Sequence, residues 1–212
     1  TLGARVVRSG PALRIEGGLR PRGGRLFTGE SGLATRLFTP IASLWHEPVR
    51  IEGEGTLLAR PMGALLEPLR TMGVAVRDRG GRLPLEVCGP MRGGAVTVDG
   101  SLSSQFVTGL LLALPLAAGE TTVRVTDPVS TPYIDMTLDT AARFGVEICR
   151  NGYEEFFVEG MQRYAPATME IEGDWSAAAM LLVAGATAGE VCVRNIRTLS
   201  KQADTAVIRA LE

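Results

Sequence analysis

Apolar residues fall at helical spacing in three stretches of this chain, and each stretch is opened by a glycine followed by small polar residues. Gly29-Glu30-Ser31-Gly32 precedes Ala34, Leu37, Phe38, Ile41 and Ala42. Gly100-Ser101-Leu102-Ser103-Ser104 precedes a run from Val107 to Ala117, and Gly173-Asp174-Trp175-Ser176 precedes Met180, Leu181, Val183 and Ala184. The openings stand 71 and then 73 residues apart, so the chain repeats at the period of a whole structural unit.

Each first helix is followed by a stretch suited to a pleated surface: Val49 to Glu52, Thr122 to Val125, and Glu190 to Val193. In the first two copies Pro61 and Pro132 mark the start of a second helix, where a missing N–H is harmless. Its apolar positions are Met62, Leu65, Leu66, Leu69 and Met72 in one copy and Ile134, Met136, Leu138 and Ala141 in the other. Gly73 and Gly145 close these helices in the left-handed conformation. The strands Val74 to Val76 and Val146 to Ile148 follow, then turns at Gly80-Gly81 and Asn151-Gly152, then strands ending at Val87 and Val158.

The pattern predicts an α/β fold of repeated β-α-β-α-β-β units, two of them complete over 24–89 and 94–160, with one strand order and both helices on one sheet face. Arg5 to Glu16 reads as the closing hairpin of an earlier unit, and Lys201 to Glu212 stops inside the second helix of a third. Tyr164-Ala165-Pro166 reads as a linker, dividing 1–165 from 166–212.

Composition narrows the function. The 22 basic and 23 acidic side chains are well mixed, which leaves no footprint for nucleic acid. No run approaches the ~20 apolar residues of a membrane span, and Phe106 to Ala118 reads as a buried helix. Arg5 and Arg8 stand without the apolar core of a signal peptide, and the absence of an initiator Met points to a missing upstream segment. Cys88, Cys149 and Cys192 read as buried reduced thiols of a cytoplasmic protein. His46 is the only histidine and reads as a surface residue, so neither a zinc set nor a His-based triad is expected.

The candidate chemistry lies where strands enter helices, because free N–H groups and the positive helix end converge there. Such mouths suit phosphate and carboxylate, although each alone is also an ordinary N-cap. Ser103, Ser104 and Gln105 place two hydroxyls and an amide at one mouth, and Ser130 and Tyr133 stand at the next. Ser130 reads equally as a cap and Tyr133 as packing. Arg36 and Arg60 supply guanidinium groups for phosphate or carboxylate, Arg60 standing out beside Pro61 among apolar Leu57, Leu58 and Ala59.

Gly100-Ser101-Leu102-Ser103-Ser104-Gln105-Phe106 and Val129-Ser130-Thr131-Pro132-Tyr133-Ile134-Asp135 resemble the shikimate-3-phosphate segments of the 5-enolpyruvylshikimate-3-phosphate synthase family. Ala59-Arg60-Pro61 and the run from Gly29 to Arg36 resemble its phosphoenolpyruvate segments, and Gly173-Asp174-Trp175-Ser176 resembles the start of its second domain. Glu30 and Leu33 depart from the Asn and Thr that many members have.

The resemblance implies a truncated enolpyruvyl transferase fold, an inside-out α/β barrel, with 1–165 forming most of the first domain. It implies shikimate-3-phosphate binding by Ser103, Ser104, Gln105, Ser130 and Tyr133, and phosphoenolpyruvate binding by Gly32, Arg60 and Gln105, with Arg36 in a structural or anion-binding role. The principal acid and base residues of the family fall outside these 212 residues, so no catalytic residue is assigned and the chain alone is expected to be inactive. No cofactor or metal is implied; the full-length protein is expected to be a cytoplasmic monomer that binds neither nucleic acid nor membrane. The sister transferases acting on UDP-sugars would show the same repeat but not the Ser-Ser-Gln string. A non-catalytic repeat scaffold would leave the company of Arg60 and Gln105 without a reason.

Overall fold

The computed structural model describes residues 2–10, 12–18 and 23–212. A hairpin of β1 (Arg5–Ser9) and β2 (Ala12–Glu16) forms a two-stranded sheet of its own. The first full unit then runs β3 (Gly24–Phe27), α1 (Gly32–Ala42), β4 (Val49–Glu52), a 3₁₀ turn (Gly55–Ala59), α2 (Gly63–Thr71), β5 (Ala75–Arg77) and β6 (Leu85–Cys88). The second runs β7 (Arg92–Asp99), α3 (Gln105–Ala113), β8 (Ala118–Thr126), α4 (Thr131–Arg143), β9 (Ile148–Asn151) and β10 (Glu155–Val158).

The sheets are ordered β3-β4-β6-β5 and β7-β8-β10-β9, the same permutation twice. In each, the first two strands are parallel and joined through a helix, as a parallel pair requires, and the remaining pairings are antiparallel. The predicted repeat is therefore a repeat of topology, with β7 beginning two residues earlier than the sequence pattern suggests.

Each sheet is covered on one face. Val49, Ile51, Leu85 and Val87 are buried, whereas the alternate positions carry ion pairs such as Arg50 with Glu52. In the second sheet Val123 and Phe156 are buried while Arg124 pairs with Glu155 outside. The helices fill the space inside, and Leu65, Leu66 and Leu69 of α2 join Phe106, Leu110 and Leu111 of α3 in one continuous core. Full burial of each such side chain contributes about 1.5–3 kcal/mol. Helix α3 is apolar around most of its circumference because it is enclosed on most sides. Where it crosses α1, a Cβ on Gly109 would lie 2.2 Å from the Arg36 carbonyl oxygen, so only glycine permits this approach.

Gly73 and Gly145 close α2 and α4 with φ of +84° and +78°, as predicted. Pro132 lies in the first turn of α4, but Pro61 precedes α2 instead of opening it, because the 3₁₀ turn and Arg60 occupy the approach. The expected linker is docked: the Tyr164 hydroxyl donates to the Leu112 carbonyl oxygen at 2.9 Å and Ala165 N–H to the Phe144 oxygen at 2.7 Å.

The third copy keeps its first helix, α5 (Trp175–Ala188), but Glu190 to Val193 forms no strand. In the first two copies the equivalent strand lies between a parallel neighbour and a closing-hairpin strand. Within the 212 residues the third copy has no such hairpin, and one possible neighbour does not hold a ladder. A 3₁₀ turn (Ala203–Ala206) and the short α6 (Val207–Leu211) follow.

The cysteines also depart from expectation. Cys88 is half-buried and Cys149 and Cys192 are exposed, all with free thiols. Cys149 sits in a β-branched setting, yet it falls on the uncovered side of its sheet, where strand alternation overrides the local composition. The His46 side chain is exposed, as predicted. Among the described residues no helix is long and apolar enough to cross a membrane, and no cluster of His, Cys, Asp or Glu could hold a metal ion.

Candidate functional site

The mouths of α3 and α4 open into one cleft of about 510 Å³, lined by Ser103, Ser104, Gln105, Ser130 and Tyr133 together with Leu33 from α1. Five residues singled out in the sequence are thus brought together by two neighbouring helices. Thr108, Thr137 and Thr140 add hydroxyls to the wall. The Thr108 and Thr137 hydroxyl oxygens lie 3.0 Å apart and tie α3 to α4. These threonines were not singled out, although Thr137, four residues after Tyr133, recurs on the same helical face.

Capping explains some mouths and not others. Ser31 accepts from Ala34 N–H at 3.1 Å, Asp174 from Ser176 N–H at 2.9 Å, and Ser103 from Gln105 N–H at 3.2 Å. Ser104 and Ser130 make no side-chain cap. Ser130 holds φ +53°, ψ +40°, a left-handed conformation costly for a residue with a Cβ, which aims its side chain away from a capping geometry. The third mouth differs from the other two: Asp174 caps α5 and Asp204 bonds to Ser176, so carboxylates occupy the place where an anion would sit. The three mouths expected to be equivalent are therefore not equivalent, the one at α5 being filled by carboxylates.

Tyr133 faces that acidic corner. Its hydroxyl is pushed above the usual tyrosine range by burial first and then by the charges of Asp204 and Asp174. No local pattern signals this proximity between a residue on α4 and residues of the third copy.

Arg36 and Arg60 meet beside Gly32. A Cβ on Gly32 would lie 3.0 Å from Arg60 Nη1 and 3.7 Å from Arg36 Nη1, so this glycine leaves room for two guanidinium groups. Arg36 donates from Nη1 to Gln105 Oε1 at 2.8 Å, and its guanidinium carbon lies 4.5 Å from the Phe106 ring centroid. Burial first, and then the charge of Arg60, lowers the Arg36 pKa. Among the described residues neither guanidinium is neutralised by a carboxylate. Such a pair is stabilised by an anion that bridges it.

Glu30 does not approach the arginines. Its carboxylate accepts from Thr56 N–H at 3.2 Å, at the start of the 3₁₀ turn that leads to Arg60. Glu54 N–H donates to the Gly29 oxygen at 2.9 Å, so the loop before α1 and the loop before Arg60 are joined. The affinity of helix N-termini for carboxylates is the signal that could have located this contact.

The twice-repeated β-α-β-α-β-β topology agrees with what the family comparison returns. The EPSP synthase family model, described as 3-phosphoshikimate 1-carboxyvinyltransferase, matches residues 1–212. The chain belongs to the EPSP synthase family.

A 3-phosphoshikimate 1-carboxyvinyltransferase of Methanocorpusculum labreanum is 35% identical, covering 100% of the chain and 51% of that protein. One of Salmonella schwarzengrund is 39% identical over 98% of the chain and 48% of its own length. A solved EPSP synthase from Acinetobacter baumannii superposes with a TM-score of 0.73 at 26% identity, covering 87% of this chain and 42% of that one. The chain therefore spans about half the length of the EPSP synthases it matches.

Proposed function

We propose that the cleft binds shikimate-3-phosphate and forms one wall of the phosphoenolpyruvate site of a 3-phosphoshikimate 1-carboxyvinyltransferase. The observation that supports this most directly is the convergence of uncapped Ser104 and Ser130 with Gln105 on one cleft, where Gln105 is bonded to Arg36 of the Arg36–Arg60 pair. In this reading Ser103, Ser104, Gln105, Ser130 and Tyr133 hold the phosphorylated ring, and Gly32, Arg60 and Gln105 hold phosphoenolpyruvate. Residues 1–165 belong to the first domain and 166–212 to the second, in a cytoplasmic enzyme that is monomeric at full length.

The reaction transfers the enolpyruvyl group of phosphoenolpyruvate to the 5-hydroxyl of shikimate-3-phosphate and releases phosphate through a tetrahedral intermediate. Donors fixed before the reaction stabilise charge on both anions without reorganising, and the cleft aligns the two reactants. The residues of the cleft supply positioning and charge. Proton transfer, which contributes about 10²–10⁴ in rate, falls to groups outside these 212 residues.

The test is calorimetric titration of the chain with shikimate-3-phosphate and with shikimate, together with an assay of phosphate release. The phosphorylated ligand binds more tightly, and turnover appears only in a full-length protein carrying these residues. Equal weak binding of the two ligands overturns the reading of the cleft, and turnover by the 212-residue chain overturns the division of labour.

A further inference from the structure

We infer that Arg36 is a positioning residue that locks the Gln105 side-chain amide with its NH₂ group available to the cleft, an inference that rests on the ligand reading above. A guanidinium offers N–H donors and no acceptor, so the Gln105 atom 2.8 Å from Arg36 Nη1 is the carbonyl oxygen. The two ends of a planar amide point in different directions. With Oε1 held by Arg36, Gln105 meets the cleft it lines as a donor.

Arg36 is itself held in place from several directions. Its backbone is fixed where α1 crosses Gly109, with room for no Cβ between them. Its guanidinium lies over the Phe106 ring, and its Nε is buried without a partner. A side chain free to reorient would satisfy that N–H, so packing on the ring and the bond to Gln105 decide its direction. Arg60, which meets Arg36 beside Gly32, adds a like charge that works against this placement, so the ring contact and the bond to Gln105 hold Arg36 against that repulsion.

The consequence is a choice of polarity. A donor amide at a helix mouth attracts phosphate, carboxylate and hydroxyl oxygens. A flipped amide would turn its oxygen lone pairs toward an anion and repel it. Arg36 thus acts on the ligands through Gln105.

The experiment is a double-mutant cycle in a full-length protein carrying these residues, with dissociation constants measured for phosphoenolpyruvate and shikimate-3-phosphate. Arg36→Met and Gln105→Met each weaken binding of at least one ligand by about tenfold or more, the range for losing a hydrogen bond to a charged group. The double variant is little weaker than Gln105→Met alone, because the two residues act in series. Additive losses overturn the inference and make Arg36 an independent charge. Unchanged binding in Gln105→Met overturns the ligand reading itself, a separate outcome.

A second contrast covers failure of Arg36→Met to fold. Arg36→Lys, which also offers donors alone, recovers part of the affinity, whereas Arg36→Gln, which can donate or accept, does not. Equal affinity in these two variants overturns the inference. In the unliganded protein the Gln105 side-chain amide signals in a ¹⁵N spectrum shift in Arg36→Gln, and no shift also overturns it.

Discussion

Tyr164 combines a donated hydroxyl, bonded to the Leu112 oxygen, with a pKa pushed by burial up to about 12. In the unfolded chain the group titrates near its ordinary value of about 10. Its folded-state pKa is raised, so its stabilising contribution is complete below about pH 10 and is lost as pH rises toward about 12. The expected outcome is an alkaline loss of stability that is smaller in Tyr164→Phe, checked by urea unfolding of both proteins at about pH 9 and about pH 11. The residual loss belongs in part to Tyr133, whose pKa is shifted in the same direction. At this scale the structure separates two serines of the helix mouths. Ser103 caps α3, whereas Ser130, which reads equally as a cap, makes no side-chain cap and holds a left-handed backbone.

Helix α3 places three demands on one short segment: a polar mouth, an apolar body and a close crossing with α1. Gln105, Phe106 and Gly109 meet them within less than two turns. Gly109→Ala would put a methyl group against the Arg36 backbone, which cannot swing aside as a flexible side chain could. It destabilises the protein by about 1–3 kcal/mol, the usual range for overpacking. Gly63→Ala, at the first residue of α2 with nothing within 4 Å of the new Cβ, is neutral or stabilising by up to about 1 kcal/mol. Denaturation midpoints of the two variants check the contrast, and equal midpoints would contradict the crossing described here. Nothing in the sequence distinguished Gly109 from other glycines, because its constraint comes from a helix more than sixty residues earlier.

Across the molecule, order follows strand pairing. The central strands β4, β6, β8 and β10 belong to two sheets over one core, whereas residues 190–200 belong to no sheet. Amide exchange is therefore slow in those four strands and fast over 190–200, with protection in the strands approaching that of global unfolding. Comparable protection in both regions would show that the third copy is a folded unit in its own right. Helix α5 leaves Met180, Leu181 and Val183 exposed although it is apolar on nearly every side. A helix of that character is suited to enclosure, and the EPSP synthases matched here are about twice as long as this chain.

The linear sequence determined the repeat, the strand and helix positions of its two complete copies, and the residues gathered at the cleft. These depend on local preferences: 3.6-residue and two-residue periodicity, glycine at helix ends and small polar residues at helix starts. Tertiary structure decided which signals were realised. Glu190 to Val193 has strand composition without a ladder to join, and Cys149 has core-like neighbours on the uncovered face of its sheet. The Arg36–Gln105 contact spans 69 residues, and the meeting of Arg36 with Arg60 depends on the bare surface of Gly32. Pairing, facing and charge proximity are relations between distant segments, fixed only when those segments pack; local propensity holds no information about them.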